Sequence, residues 1–317
     1  MSPLQHSVLA AADAHSAHIG TMWNTFMWVC GFFYLLVLGF LFLALARRRR
    51  GGSPEKSEAE PPALRSLLRT WGTMIVVGLA GLALTSYAID RKLFQSDQGE
   101  AIPLVMTGYQ WWWSINYEND DPSQSFTTAN EIHLPVDTTA RIDLHSNDVI
   151  HSFWVPNLHG KQDLIPMRNN HIFLHPTKIG RFRGQCAEFC GAQHAKMALV
   201  VVVESRADFD RWRQNQMAAA HEPGDPKAAH GKDVFLGASC PLCHTIRGTG
   251  ASGRTGPDLT HLASRDAIAA RALPNTPDSL KAWITHPQAA KPGSNMPATK
   301  LEGDSLSDLA TYLGSLQ

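Results

Sequence analysis

The chain has 317 residues, 44% of them hydrophobic, with 28 basic and 28 acidic side chains and no formal net charge. That balance excludes the broad basic field with which nucleic-acid-binding proteins gather phosphates, and the length allows two or three domains. Five cysteines are too few for a disulfide scaffold. Four fall into the close pairs Cys186/Cys190 and Cys240/Cys243, as in metal or cofactor sites, and Cys30 stands in an apolar run.

Residues 1–20 are polar and rich in Ala and His, without the charged head and cleavage site of a signal peptide. They read as a mobile extracytoplasmic tail in which His6, His15 and His18 are scattered rather than grouped as ligands. Residues 21–46 follow as a first transmembrane helix. The run Met22 to Ala46 has no charged side chain; as a helix it is about 37 Å long, enough for a hydrocarbon core of ~30 Å. Trp23 and Trp28 lie where aromatic anchors sit, and Cys30 serves as a small apolar residue. A second span covers residues 71–89. The Pro/Ser/Glu-rich loop between them, residues 47–70, carries Arg47 to Arg50 at one end and Arg65 and Arg69 at the other. By the positive-inside rule it is cytoplasmic, and the N-terminus and all that follows Asp90 lie opposite.

Near residue 100 the pattern changes to period two. Ile102 to Met106, Arg141 to His145, His171 to Leu174 and Ala198 to Val203 read as short strands separated by turn residues. They define a β-sandwich or barrel over 100–205. Within its last loop, Cys186 to Met197 gathers two thiols, the imidazole of His194 and the Met197 thioether. Such soft donors select copper, or zinc in closed tetrahedral sites. Cysteines spaced C-x-x-x-C on one loop can turn both sulfurs into one space and bridge a metal pair; a buried disulfide loop or inert core cysteines are the plainer alternatives. A further strong ligand has to come from elsewhere, the candidates being His133, His145, His151, His159, His171 and His175. His151 is read at the end of a strand, entering a loop.

Residues 206–228 hold a short charged helix, Arg206 to Gln216, then Ala, His, Pro and Gly, and read as a linker. From 229 to 317 the composition changes again. Cys240-Pro241-Leu242-Cys243-His244 is a C-x-x-C-H motif, the signature of covalent c-type haem attachment with His244 as proximal ligand. The second axial ligand of such haems is commonly Met, and Met296 is the sole Met beyond the motif. Ala229 to Leu236, Pro277 to Thr285 and Ser305 to Leu316 carry helical patterns. His261 and His286 read as surface histidines.

These motifs give a family resemblance. Asp148-Val149-Ile150-His151-Ser152-Phe153-Trp154-Val155-Pro156 followed by Cys186-Ala187-Glu188-Phe189-Cys190-Gly191-Ala192-Gln193-His194-Ala195-Lys196-Met197 resembles subunit II of haem–copper cytochrome c oxidases. The variety it resembles carries a fused C-terminal cytochrome c (caa-type). The resemblance implies a multidomain chain: a two-helix transmembrane hairpin, a β-sandwich of cupredoxin type and an all-α class I cytochrome c. It implies a binuclear CuA centre in which Cys186 and Cys190 bridge both coppers. His151 and His194 each bind one copper, and Met197 and the Glu188 carbonyl are weak axial ligands. It also implies a magnesium ion, reached by the Glu188 carboxylate, at the boundary with subunit I. In Gly108-Tyr109-Gln110-Trp111-Trp112-Trp113, Trp111 matches the tryptophan through which electrons arrive, while Trp112 and Trp113 are also open to reading as a belt at the membrane surface. Gly256-Pro257-Asp258-Leu259 resembles the loop on the proximal side of small cytochromes c.

The function so implied is electron transfer from haem c on Cys240, Cys243, His244 and Met296 to CuA, and on to the subunit I that reduces oxygen. Subunits I and III, a donor that is cytochrome c or a quinol–cytochrome c oxidoreductase, and membrane lipid are the implied partners, without nucleic acid. The implied place is the bacterial inner membrane, multi-pass, with both redox domains periplasmic. Many relatives carry Glu three residues before the Trp that opens the second helix; here that residue is Leu68, and Glu55, Glu58 and Glu60 are the nearby carboxylates. The alternative is a membrane-anchored copper-delivery or thiol-redox protein with a fused cytochrome c.

Overall fold

A computed structural model describes residues 3–49, 62–96 and 101–317. The chain divides into two compact units, Ala17–Gln98 on the one hand and Met1–Ser16 with Gly99–Gln317 on the other.

The first unit is made by helices α1 (Ala14–Arg49) and α2 (Pro62–Ser96). Both outrun the expected spans 21–46 and 71–89, because an apolar run sets the width of the lipid-facing band and not the length of the helix around it. Residues 62–70 of the expected loop are helical, with Pro62 at the first position, where its missing N–H costs nothing. Residues 50–61, which hold Arg50, Glu55, Glu58 and Glu60, lie outside the described residues. The Phe40 ring meets Trp71 edge-on at 5.6 Å, and Phe33 lies against Gly78, so the helices run antiparallel. Their outer side chains, such as Trp28 and Phe42, are exposed, as a lipid-facing surface requires. Leu68 is exposed on α2 and offers no carboxylate.

The second unit begins with an edge strand, β1 (Leu4–Gln5), which pairs in parallel with residues 181–182. The expectation of a mobile tail is therefore corrected. Asp13 is buried and accepts from the backbone N–H of His15 and His175, while Ser16 donates to the Asn157 carbonyl. Backbone pairing of an edge and two buried polar side chains tie this segment down.

Ten further strands make the sandwich: β2 (Ile102–Tyr109), β3 (Trp112–Tyr117), β4 (Phe126–Ala129), β5 (Glu131–Pro135), β6 (Ala140–Ser146), β7 (His151–Trp154), β8 (Gln162–Leu164), β9 (Asn170–Leu174), β10 (Gly180–Cys186) and β11 (Ala198–Glu204). One sheet has the order β4-β3-β2-β6-β9. The other has β5-β11-β10-β7-β8, with β1 beside β10. Trp113, Ile115 and Tyr117 alternate inward on β3 and share one core cluster with Phe153, Phe182 and Leu199. Trp113 is wholly buried, so it is a core residue rather than part of a surface belt.

Helix α3 (Arg206–Met217) continues this domain instead of leaving it. Phe209 is buried in the sandwich core, and Trp212 stacks on His133 with ring centroids 4.0 Å apart. The first half of the expected 206–228 linker is thus a packed element; charge on its outer face hid a buried stripe.

The C-terminal domain holds α4 (Pro226–Gly237), α5 (Pro277–Thr285), α6 (Pro287–Ala290) and α7 (Gly303–Ser315). Asp225 and Thr276 cap α4 and α5 by accepting backbone N–H bonds, each ahead of a proline. Helices α4 and α7 cross at Gly231, where the Asp308 backbone leaves no room for a Cβ. Phe235 and Tyr312 meet edge-to-face beside the crossing.

Candidate metal centre and haem site

Strand pairing assembles the metal site. β10 ends on Cys186 and pairs antiparallel with β7, so Cys186 stands opposite Phe153 and near His151. His151 opens β7, whereas the sequence reading put it at a strand's end. The loop is pinned by Cys186 N–H donating to the Met197 carbonyl and Ala187 N–H donating to that of Ser152.

Within this frame the two thiol sulfurs lie 3.7 Å apart, far beyond the about 2.0 Å of a disulfide. Cys186 Sγ is 3.9 Å from His151 Nδ1 and 3.2 Å from the Glu188 carbonyl oxygen. Cys190 Sγ is 3.6 Å from His194 Nδ1 and 3.8 Å from Met197 Sδ. His151, Cys186 and Cys190 form the one cluster of potential metal ligands among the described residues. The other candidate histidines serve elsewhere: His133 binds Glu204 and His175 binds Thr139. His159 lies against His15, with its pKa pulled down to about 4 mainly by burial. His171 is exposed, and His145 is not part of the cluster.

The electrostatics suit a cation. A hydrogen bond from Cys190 holds the Cys186 thiol well below its ordinary range, while the same contact pushes Cys190 up, so the pair keeps one proton between them. Burial opposes charge on His151, but hydrogen bonds to Cys186 and Asp148 outweigh it and raise its pKa. Asp148 is a residue whose role the sequence left unread. Its Oδ1 sits 2.7 Å from His151 Nε2 and its Oδ2 accepts from Gln110 N–H, so one carboxylate orients both the ligand ring and the aromatic segment. Gly108 is needed under the same ring, since a Cβ there would stand 2.8 Å from it.

The donor set fits copper: two sulfurs sharing one space, an imidazole nitrogen beside each, a thioether and a carbonyl. Trp111 is nearly buried beside it, and its indole N–H donates to the Cys190 carbonyl at 2.9 Å. Glu188 and Phe189 stand exposed on the same loop.

The second motif lies on a 3₁₀ turn, Cys240–Leu242, closed by His244 N–H donating to the Cys240 carbonyl. Both cysteines are free and half-buried. His244 Nδ1 lies 2.8 Å from the Pro257 carbonyl, which assigns the proton to Nδ1 and leaves Nε2 to bind a metal. Burial lowers the pKa of this ring and favours the neutral, ligating form. Gly256 packs flat on the ring; a Cβ there would stand 2.7 Å from Cε1. Met296 is half-buried and joins the hydrophobic core of this domain. The free thiols, the fixed imidazole tautomer and the Met296 thioether fit haem c.

His261 departs from the surface reading. It is buried, with Nδ1 2.7 Å from the Gln317 carbonyl and Nε2 3.1 Å from that of Ala218, and it ties the segment after α3 to the chain's last residue. Nothing local in the sequence announces partners so distant. His286 is exposed as expected.

The chain thus joins two helices of membrane-spanning length to a sandwich with a soft-donor loop at one end and a helical domain that carries a C-x-x-C-H motif. The family described as "Cytochrome C oxidase subunit II, periplasmic domain" matches residues 120–205, and the family "Cytochrome c" matches residues 228–317. Cytochrome c oxidase subunit 2 of Alkalihalophilus pseudofirmus is 33% identical over 89% of this chain and 82% of its own. That of Bacillus sp. strain PS3 is 30% identical over 85% and 80%. Among solved structures, the periplasmic domain of subunit II of a cytochrome oxidase from Bradyrhizobium japonicum is 30% identical, covering 37% of this chain and 95% of that one, with a TM-score of 0.35. The chain belongs to the cytochrome c oxidase subunit 2 family, in a form with a cytochrome c domain at its C-terminal end. It is a component of an oxidoreductase.

Proposed function

We propose that this chain receives electrons at a covalent haem c, passes them to a binuclear copper centre and hands them to subunit I of a terminal oxidase that reduces oxygen to water. The observation that carries the reading is the donor cluster itself: two sulfurs 3.7 Å apart, each with a histidine Nδ1 beside it. When bound, the haem and the copper pair supply the redox chemistry, each taking up and releasing one electron.

The residues of the chain do the rest. Cys186, Cys190, His151, His194, Met197 and the Glu188 carbonyl would hold the copper. Cys240 and Cys243 would attach the haem, and His244 and Met296 would hold its iron. A rigid, buried cage of this kind keeps ligand positions nearly unchanged between redox states, which lowers the barrier to transfer. Trp111 links the outside of the cage to the Cys190 carbonyl and is the point where electrons reach it. Exposed Glu188 and Phe189 suit a boundary with subunit I, where the Glu188 carboxylate would be placed to hold a magnesium ion. α1 and α2 cross the bacterial inner membrane as a hairpin, and both redox domains are periplasmic. Subunit III accompanies subunit I, and the donor is a cytochrome c or a quinol–cytochrome c oxidoreductase.

The rival reading, a thiol-redox or copper-delivery protein, needs an exposed attacking sulfur. Cys186 and Cys190 are only 3% and 2% exposed, which counts against it. Visible and EPR spectra of the full chain, purified in detergent and loaded with copper, test the proposal. The expected result is a c-type haem band together with a hyperfine pattern from one electron shared over two copper nuclei. Cys186→Ser should abolish the shared-electron pattern. A reversible disulfide and no copper signal in the unaltered chain would sink the reading.

A further inference from the structure

Several contacts hold the cytochrome domain on the sandwich, among them Arg181 with Asp266, Arg265 with Thr128 and Glu131, and Ala198 N–H donating to the Ala270 carbonyl; the one that reaches Trp111 is segment 290–293. Lys291 is only 3% exposed, and its ammonium donates to the Trp111 carbonyl at 2.7 Å and to the Ala269 carbonyl at 3.1 Å. On either side of it, Gln193 donates to the Pro292 carbonyl at 2.8 Å and Lys196 to that of Ala290 at 2.6 Å. A buried ammonium is costly unless it is well bonded, so its bond to the Trp111 carbonyl favours keeping this segment against the sandwich. Burial pulls its pKa down to about 7, the cost that its two carbonyl partners offset.

Two glycines flank the indole of Trp111. Gly191, from the copper loop, has φ +110°, and a Cβ there would stand 3.1 Å from Trp111 Cζ2. Gly293, from the cytochrome domain, has φ +86°, and a Cβ there would stand 3.5 Å from Trp111 Cη2. Both backbones are in the left-handed region that favours glycine, which lets the chain lie against the ring. The segment that carries Lys291 and Gly293 runs directly into Met296.

We propose that Lys291 is the positioning residue that seats the Met296-bearing loop on Trp111, so that the haem-binding and copper-binding parts of the chain meet through that indole. This rests on the functional reading above and adds the contact by which the two parts are held in register. Lys291 acts through Trp111, and its hydrogen bonds go to the Trp111 and Ala269 carbonyls.

The test compares the unaltered chain with Lys291→Met in the assembled, copper- and haem-loaded oxidase. Lys196→Met, which removes an exposed contact of the same segment, is the second variant. Hydrogen–deuterium exchange is read over residues 108–113 and 286–294, and haem-to-copper transfer is timed after flash photoreduction. Lys291→Met should leave the haem and copper spectra unchanged, speed exchange in both segments about tenfold or more, and slow transfer by a comparable factor, as expected for losing hydrogen bonds from a buried charge. Lys196→Met should move both in the same direction by less. Unchanged exchange over 108–113 with only a less stable cytochrome domain would overturn the proposal, because Lys291 would then serve Ala269 alone. Should Lys291→Met fail to fold, unchanged exchange and transfer in Lys196→Met overturn it as well. Absence of either spectrum in the unaltered chain defeats the functional reading instead and leaves the exchange result on Trp111 to stand by itself.

Discussion

The copper loop and the haem loop solve opposite problems. Around copper, every donor is a side chain or carbonyl that the sandwich already holds in place: Cys186 closes a strand, His151 opens its neighbour, and Asp148 and Gly108 fix the ring between them. The same core continues past the site through Trp113 and Phe153, so the site is a corner of a larger packed body. Around haem, the chain supplies few fixed points. His244 is anchored to Pro257, but Cys240, Cys243 and Met296 are half-buried and Leu242 is 78% exposed on the motif. The sandwich is a finished fold with its soft donors at one end; on the function proposed above, the cytochrome domain is one whose cofactor would complete its core.

The largest expected effect breaks that comparison directly. Cys240→Ser combined with Cys243→Ser removes covalent attachment, and with it the apolar group that fills the domain. A domain this small has about 5–10 kcal/mol of stability to lose. Limited proteolysis should then digest residues 226–317 while residues 101–217 survive with their copper signal intact. Stripping copper from the unaltered chain with a chelator should leave the circular dichroism of the sandwich in place. A cytochrome domain that resists protease without its thiols would mean that the two domains are alike after all.

The same contrast explains what the sequence disclosed. Both motifs were legible because their donors are contiguous: Cys186 to Met197 and Cys240 to His244 each declare their chemistry within a loop. The two membrane-length runs and the helices around 229–236, 277–285 and 305–316 were legible by periodicity. His151 was one of six candidates by residues alone, and only the resemblance singled it out, because strand pairing brings it from far upstream. Trp113 was read with its aromatic neighbours and not with Ile115 and Tyr117, its inward-facing partners on β3. β1 is two residues on a sheet edge, too short to leave a pattern. His261 and Lys291 are held by backbone carbonyls of distant segments, and a carbonyl has no residue type to read.

A second, smaller effect sharpens the comparison on the haem side. Met296→Ala removes the one thioether in that domain, while His244 keeps its bond to Pro257. The visible spectrum should lose the signature of sulfur ligation and the haem potential should fall, since Met ligation raises it. The EPR pattern of copper should not move. An unchanged haem spectrum would show that another group holds the iron.

The smallest effect lies on the copper side and concerns a residue that binds no metal. Asp148 is 26% exposed at its side chain; it pairs with His151 Nε2 and accepts from the backbone N–H of Gln110 and of Val149. Asp148→Asn keeps the shape and one acceptor but removes the charge that favours a donating Nε2–H and thereby a free Nδ1 facing Cys186. Losses of this kind at a metal site lower affinity about 10–100-fold without unfolding the protein. Competition with a chelator of known strength measures it, and the midpoint of urea unfolding for the metal-free chain should stay nearly the same. If affinity does not fall, the orientation of His151 is set by its burial between Gly108 and Trp113 alone, and the site is still more completely a property of the sandwich core than its hydrogen bonds indicate.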